Sequence, residues 1–331
     1  MTDYVATTPG LYPLPDRAKR SLSDLKGHQK HDLISGDEPE AIAREYETAR
    51  AVVIARQAEA GLDRVVEGQL RWDDMLAHPL AVHDAVETRG LLRYYDNNNF
   101  YREPVVSGPL AFDGDVAAEL SAAAELTDDL QAVLPGPYSL FDLATDAHYG
   151  DDDEFLAAVG TFLAGEVEAF PEVGTLFLLE PSLAVDPPGT ARVERVREAI
   201  EAVAGATAAD VVVHTYWGAL EAATYASLLD ANVDGVGFDL VTAPGESASL
   251  AGELGTPGSV ALGVVDGQNT EVEAAGAIRE RVERFERALG ESGDPETVYV
   301  TSNTELFYLP VNRFSEKLAA LGAATKPEAV A

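Results

Sequence analysis

The chain has 331 residues, 46 % of them apolar, enough to bury the core of one large α/β barrel or of two ordinary domains. Its 57 acidic residues outweigh 23 basic ones and leave a net charge of −34, a field that repels nucleic acid and anionic membranes. Cysteine is absent, which excludes disulfides, thiolate nucleophiles and any cysteine-ligated metal.

The acids are dispersed along the chain, and the cations are 18 arginines and only five lysines. One reading is an acidic face for a basic partner. The simpler one is a solvated surface adapted to strong salt, where the Debye length falls to about 3 Å at ~1 M and the repulsion is screened. A halophilic protein is therefore expected. No run of 18 apolar residues is present to span a membrane, and the opening MTDYVATTPG lacks the basic and apolar regions of a secretory signal. The expected location is cytoplasmic.

In chain order, short β-branched runs alternate with helical patterns. YVATTPGL (4–11) reads as a first strand. A helix over 39–61 starts at Pro39 and stops at Gly61, a suitable terminator. RVVEGQ (64–69) reads as a second strand, and EPVVSGPL (103–110) as an extra extended piece inside an insertion. AVLPGPYSL (132–140), TLFLLEP (175–181), DVVVHTYW (210–217), VDGVGFDLV (233–241), SVALGVVDG (259–267) and TVYVTSN (297–303) complete eight strand candidates. Helices are predicted over 189–206 and 271–290; in the second, Ile278, Val282, Phe285 and Leu289 form an inward stripe. The pattern predicts an α/β chain folded as a single (β/α)8 TIM barrel over 1–331. An insertion of about 72–130 separates strands 2 and 3, and a short flexible tail covers about 323–331. A doubly wound open sheet is the runner-up, although neither G-x-G-x-x-G nor a Walker A motif is present.

Barrel chemistry sits at the carboxyl ends of the strands. The polar residues there are Tyr12; Glu67, Gln69, Arg71, Asp73 and Asp74; Tyr138, Ser139 and Asp142; Glu180; His214, Tyr216 and Trp217; Asp239; Asp266, Gln268 and Asn269; and Ser302, Asn303 and Glu305. His214 with Glu180 and Asp239 could form a one-imidazole, two-carboxylate metal site. No H-x-H or H-E-x-x-H spacing supports that site, and a lone histidine ending a buried strand is more often a hydrogen-bonded core residue. Likewise Glu180 could bond barrel backbone, Asp239 the following turn, and Asp73 and Asp74 the helix after strand 2.

Eight segments in order, TTPGLYPLP, EAGLDRVVEGQLRWDDM, LPGPYSLFDLA, LLEPSL, VVHTYWG, VDGVGFDLV, LGVVDGQN and SNTELFYLPV, resemble the cobalamin-independent methionine synthase family. The long form of that family has two barrels. Its zinc barrel activates homocysteine as a thiolate, and its amino-terminal barrel, without zinc, helps bind methyltetrahydrofolate. The resemblance places the zinc ligands at Tyr216, Gly218, Asp239 and Thr304, and homocysteine-binding carboxylates at Gln69 and Leu179. A proposed acid falls at Gln268 and a folate-stacking tryptophan at Leu143. Each has lost the family's residue type.

The chain thus resembles the amino-terminal, zinc-less barrel standing alone. The resemblance implies methyl transfer from 5-methyltetrahydrofolate to homocysteine, shared with a separate zinc-bearing barrel. This chain would bind no cofactor tightly and would have methyltetrahydrofolate as a candidate substrate. No confident catalytic residue and no metal ligand is assigned. The candidate pocket is Tyr12, Gln69, Arg71, Asp74, Glu180, His214, Tyr216, Trp217, Asp239, Gln268 and Asn303. Candidate contacts for the anionic folate tail are Lys19, Lys26, Lys30 and Arg102. The alternatives are an independent methyltransferase using another donor, a barrel related to uroporphyrinogen decarboxylase, or a purely structural partner. The NNNFYREP segment (97–104) reads equally as a lid or as a surface loop.

Overall fold

The computed structural model describes residues 2–22, 39–72, 74, 76–95, 99–290 and 295–326. The expected contacts Lys26 and Lys30, the candidate cap Asp73 and the tail beyond 326 lie outside them.

The main sheet is parallel, with the order β1 (Asp3–Ala6), β10 (Thr297–Ser302), β9 (Ser259–Val265), β8 (Gly235–Asp239), β7 (Asp210–His214), β6 (Thr175–Leu179) and β4 (Gln131–Pro135). It curls, and the helices between its strands cover the outside. These are α5 (Pro137–Asp142) and α6 (Asp152–Glu168) after β4; α7 (Ser182–Val185) and α8 (Val193–Ala204) after β6; α9 (Ala222–Leu229); α10 (Pro244–Leu254); α11 (Ala275–Leu289); and α12 (Val311–Thr325) after β10. Strands β4, β6, β8 and β9 are buried from end to end, as parallel strands covered on both faces must be. In α11 the buried residues are Ile278, Val282, Phe285 and Leu289, the predicted stripe.

The second strand is a correction. Residues 64–69 form no ladder; Val65 makes one isolated bridge, to Leu130. The segment still crosses the gap between β1 and β4. Asp63 and Arg64 amides donate to the Ala6 carbonyl at 2.9 and 3.2 Å, the Val65 amide to Asp129 O at 2.9 Å, and the Gln131 amide to Val65 O at 2.8 Å. Inside, the Gln131 side chain ties the two edges directly: it accepts from Thr7 Oγ1 at 2.9 Å and donates to Thr8 O at 2.9 Å. The other strands end two to five residues before the predicted limits, apart from the last, which ends one residue early. Strand β7 stops at His214 and β8 at Asp239, because the chain turns where these side chains point into the strand-end face.

Between β1 and the Val65 bridge lie α1 (Asp16–Ser21) and α2 (Glu40–Ala60), the latter ending at Gly61 in the left-handed region (φ 80°) as expected. Between the bridge and β4 lie α3 (His78–Ala81), α4 (Asp115–Ala124) and an antiparallel hairpin of β2 (Val86–Arg93) and β3 (Phe100–Val106). β5 (Thr145–Asp146) pairs with β3 to make a separate three-stranded sheet. Strand β2 escaped the sequence reading. An irregularity between Thr88 and Leu91 breaks its two-residue period, and most of its residues are exposed. Among the described residues, no helix is long and apolar enough to cross a membrane.

Candidate functional site

Among the described residues, four non-glycine residues have left-handed backbones: Leu11 (φ 50°), Gln69 (46°), Tyr95 (37°) and Trp217 (65°). All four lie at or over the carboxyl ends of the strands. Such residues cost about 1–3 kcal/mol each and persist where surrounding structure over-determines them. Leu11 and Gln69 hold each other: the Leu11 amide donates to Gln69 Oε1 at 2.7 Å, and the Tyr12 amide to Gly68 O at 2.9 Å. Gln69 is thereby spent on backbone. Tyr12 is buried; its hydroxyl lies 2.5 Å from Thr8 Oγ1 and donates to Gln57 Oε1 at 2.8 Å.

The same consumption recurs around the rim. Asp239 Oδ1 accepts from the Val241 and Thr242 amides at 2.9 and 2.8 Å, and Oδ2 from the Trp217 amide at 2.9 Å. The Asn303 amide nitrogen lies 3.2 Å from both oxygens. Glu180 reaches beneath Gly136 to the start of α5. Oε1 accepts from the Tyr138 amide at 2.9 Å, and Oε2 from the Ser139 amide and hydroxyl at 2.7 and 2.6 Å. A Cβ at Gly136 would stand 2.1 Å from Glu180 Cδ, so glycine is required there. Burial pushes the Glu180 carboxyl up to about 7, against those three donors. Asp74 accepts from the Leu76 and Ala77 amides and from the Tyr94 hydroxyl at 2.9, 2.7 and 2.6 Å.

His214 is fully buried. Nε2 lies 2.8 Å from the Asn303 carbonyl, which only accepts, so Nε2 carries the proton. Nδ1 is left an acceptor with no partner among the described residues, pressed against Gly237, where a Cβ would come within 2.2 Å. Burial holds the imidazole down to about 4, so it is neutral at pH 7. Tyr216 and Trp217 pack beside it, with ring centroids 5.8 Å (His214–Tyr216) and 4.8 Å (Tyr216–Trp217) apart. Tyr94 and Tyr95 of the hairpin lie over them: Tyr95 is 5.4 Å from Trp217, and its hydroxyl bonds Ser182 Oγ. No sequence signal beyond two adjacent tyrosines pointed to this aromatic cover.

These residues do not fit zinc. Of the four positions matched to ligands, Gly218 has no side chain and the Thr304 hydroxyl bonds Glu305 O at 3.3 Å. Tyr216 is a buried phenol whose pKa burial drives well above its ordinary value. Asp239 has both oxygens occupied. Among the described residues, no group of three or more His, Asp or Glu could hold a metal ion.

Two expected residues stand apart. Arg71 Nε donates to Glu119 Oε1 at 2.9 Å, and its guanidinium lies 4.2 Å over the Tyr46 ring. Arg50 pairs with the same Glu119. Gln268 is exposed and donates to Glu305 Oε1 at 3.3 Å. Glu305 Oε2 is buried without a partner among the described residues, and burial pushes this carboxyl up to about 7. Glu67 behaves alike: burial, then the Glu119 charge, push it up to about 8.

Open space lies beside the rim. A groove of about 910 Å³ runs between the loop after β1 and the start of α12, lined by Lys19, Arg56, Phe307, Tyr308 and Asn312 among others. Arg56 Nη1 is buried with no hydrogen-bond partner among the described residues. The amide end of α12 carries no side-chain cap and no acidic residue in its first turn. Two cations against one carboxylate, Asp16, together with a helix amino terminus, favour an anion, and two aromatic rings favour a flat or apolar portion beside it. Lys19 was expected here; Arg56, hidden within a helical pattern, was not. Arg102 lies elsewhere, exposed on β3.

A curled parallel sheet with helices outside and a candidate site at the strand ends is the arrangement of barrel-like α/β proteins. Residues 81–289 match the model of the cobalamin-independent synthase N-terminal domain, and the chain belongs to that family. A methionine synthase of Sulfolobus acidocaldarius is 22 % identical over 338 residues, covering 96 % of this chain and 91 % of the relative. A 5-methyltetrahydropteroyltriglutamate–homocysteine methyltransferase of Ralstonia pickettii is 26 % identical over 305 residues, covering 79 % of this chain but 37 % of the relative. The chain thus spans little more than a third of that longer protein. A B12-independent methionine synthase of Shewanella sp. W3-18-1, solved with selenomethionine, superposes with a TM-score of 0.75 at 18 % identity, covering 97 % of this chain and 96 % of that one.

Proposed function

We propose that this chain is the folate-side accessory barrel of a cobalamin-independent methionine synthase, acting with a separate zinc-bearing barrel. The observation that carries the reading is the contrast at the strand ends. The positions matched to zinc ligands hold no usable donor set, while the adjoining groove keeps Lys19 and Arg56 beside aromatic rings. In this reading zinc and homocysteine belong to the partner. The groove takes the carboxylates of the methyltetrahydrofolate tail. Docking excludes water and orients donor and acceptor, an effect that lowers barriers by several kcal/mol. The bridge at Val65 and its flanking hydrogen bonds support counting the 63–68 segment as the eighth stave of a closed barrel, with 72–130 as its insertion.

The test is methyl transfer from 5-methyltetrahydrofolate to homocysteine by this chain, by a zinc-bearing barrel from the same genome, and by both together in strong salt. Activity confined to the mixture, or raised at least tenfold in it, supports the reading. Turnover by this chain alone overturns it in favour of an independent methyltransferase. A partner fully active alone and unaffected by mixing leaves only a structural role.

A further inference from the structure

Unlike Asp239 and Glu180, Glu305 leaves half of its carboxylate unused. It lies three residues beyond β10 and is 1 % exposed. Oε1 accepts one long bond from Gln268 at 3.3 Å, and Oε2 has no partner among the described residues. The backbone that carries it is fixed. The Gly267 amide donates to Asn303 Oδ1 at 3.0 Å, and the Ser302 hydroxyl to Thr304 O at 2.8 Å. A Cβ at Gly267 would stand 2.3 Å from Glu305 O, so the turns after β9 and β10 are pressed together. Gln268 itself is exposed, which puts solvent one side chain away from the carboxylate.

The surroundings are aromatic and acidic. Burial and then the Glu305 charge raise the phenols of Tyr216, which is buried, and of Tyr308, which is half exposed and lines the groove, so both rings lie within reach of the carboxylate. The other carboxylates acting on these two phenols are Glu180 and Asp74. Cations on the flanking helices are committed elsewhere: Lys317 to Glu273 at 2.7 Å, and Arg281 to the Val264 carbonyl. Water satisfies a surface carboxylate, but a buried and half-used one lacks a charged N–H donor. Ring faces beside it add attraction for a cation. A bare metal ion needs more ligands than converge here, since no three His, Asp or Glu among the described residues do so. We propose that Glu305 anchors a subsite for a small primary ammonium cation, which displaces the Gln268 side chain and donates to Oε2 beside the Tyr308 ring. The cation exchanges a long neutral hydrogen bond for a charge-assisted one. The subsite does not depend on a second barrel.

The test titrates n-butylammonium chloride into the full chain in strong sodium chloride at constant ionic strength, followed by ligand-detected NMR. At about pH 8 the carboxyl, pushed up by burial to about 7, is ionised. Saturable one-to-one binding is expected. Glu305→Gln keeps the shape and loses the charge, and should weaken binding about tenfold or more. Butyltrimethylammonium has no N–H and should bind about tenfold more weakly than butylammonium. Equal binding of the two cations would reduce the effect to the field of an acidic chain and overturn the proposal. So would a wild-type response that does not saturate, or a Glu305→Gln variant that binds as well as wild type. Gln268→Ala, at an exposed position, guards against a Glu305→Gln variant that fails to fold. It should unfold at the wild-type temperature and bind butylammonium at least as tightly as wild type; loss of binding there overturns the proposal.

Discussion

Around β6 and β8 the strand-end carboxylates are saturated. Asp239 answers three backbone amides and the Asn303 side chain, and Glu180 answers two amides and a hydroxyl. Around β1, the groove keeps Lys19 and Arg56 without an ion pair among the described residues. In an enzyme rim of this type the first region would supply reacting groups and the second would hold the remote part of a substrate. Here the first is bonded into the scaffold and the second is open. A residue's position at a strand end therefore does not establish its role; the number of lone pairs already occupied does.

The largest effect that could break this contrast is at Asp239. Asp239→Ala removes the acceptor of the part-buried Val241, Thr242 and Trp217 amides and of the buried Asn303 side chain, and should cost on the order of 4 kcal/mol. Equilibrium unfolding measures it, and a loss below about 1 kcal/mol would mean that Asp239 is not scaffold. His214 comes next. Its folded value of about 4 lies below the ordinary 6.5, so the unfolded chain takes up this proton first. Its contribution is complete above pH 6.5 and is lost as pH falls to 4, roughly 3 kcal/mol in all. His214→Gln should flatten that part of the pH–stability curve. Gly136→Ala forces a Cβ into Glu180 and should cost about 2 kcal/mol. In a Glu180→Ala background most of that penalty should vanish, a coupling that a double-mutant cycle reads directly. Smallest is Lys19→Gln, expected to weaken binding of a triglutamate probe about fivefold, near 1 kcal/mol, without altering stability.

How much was legible depended on period and burial. Fully buried runs such as TLFLL and SVALGVV announced parallel strands, and the stripe Ile278, Val282, Phe285 and Leu289 announced an outer helix. VETRGLLR did not announce a strand, because its irregularity and exposure erase the alternation. RVVEGQ did, yet makes one bridge, because its backbone serves two neighbours out of register with a ladder. At the rim, the loss of ligand types at Tyr216, Gly218 and Thr304 was readable from identity alone. The backbone roles of Asp239, Glu180 and Asp74 were readable only as alternatives, since they depend on which amides converge in space. Arg56 was invisible: within AVVIARQ nothing separates a groove-facing arginine from one in solvent.

The crossing between β1 and β4 has a further consequence, for how the molecule breathes. Every other joint in the main sheet is a ladder of three to six paired residues, whereas this seam depends on one bridge, a few loop hydrogen bonds and the side chain of Gln131. Local opening follows the line with fewest cooperative bonds. Amide protons of Arg64, Val65 and Gln131 should therefore exchange with solvent well before those of β7 and β8. The sheet then parts first along the side that borders the groove, so its most readily opened seam and its open surface share one edge.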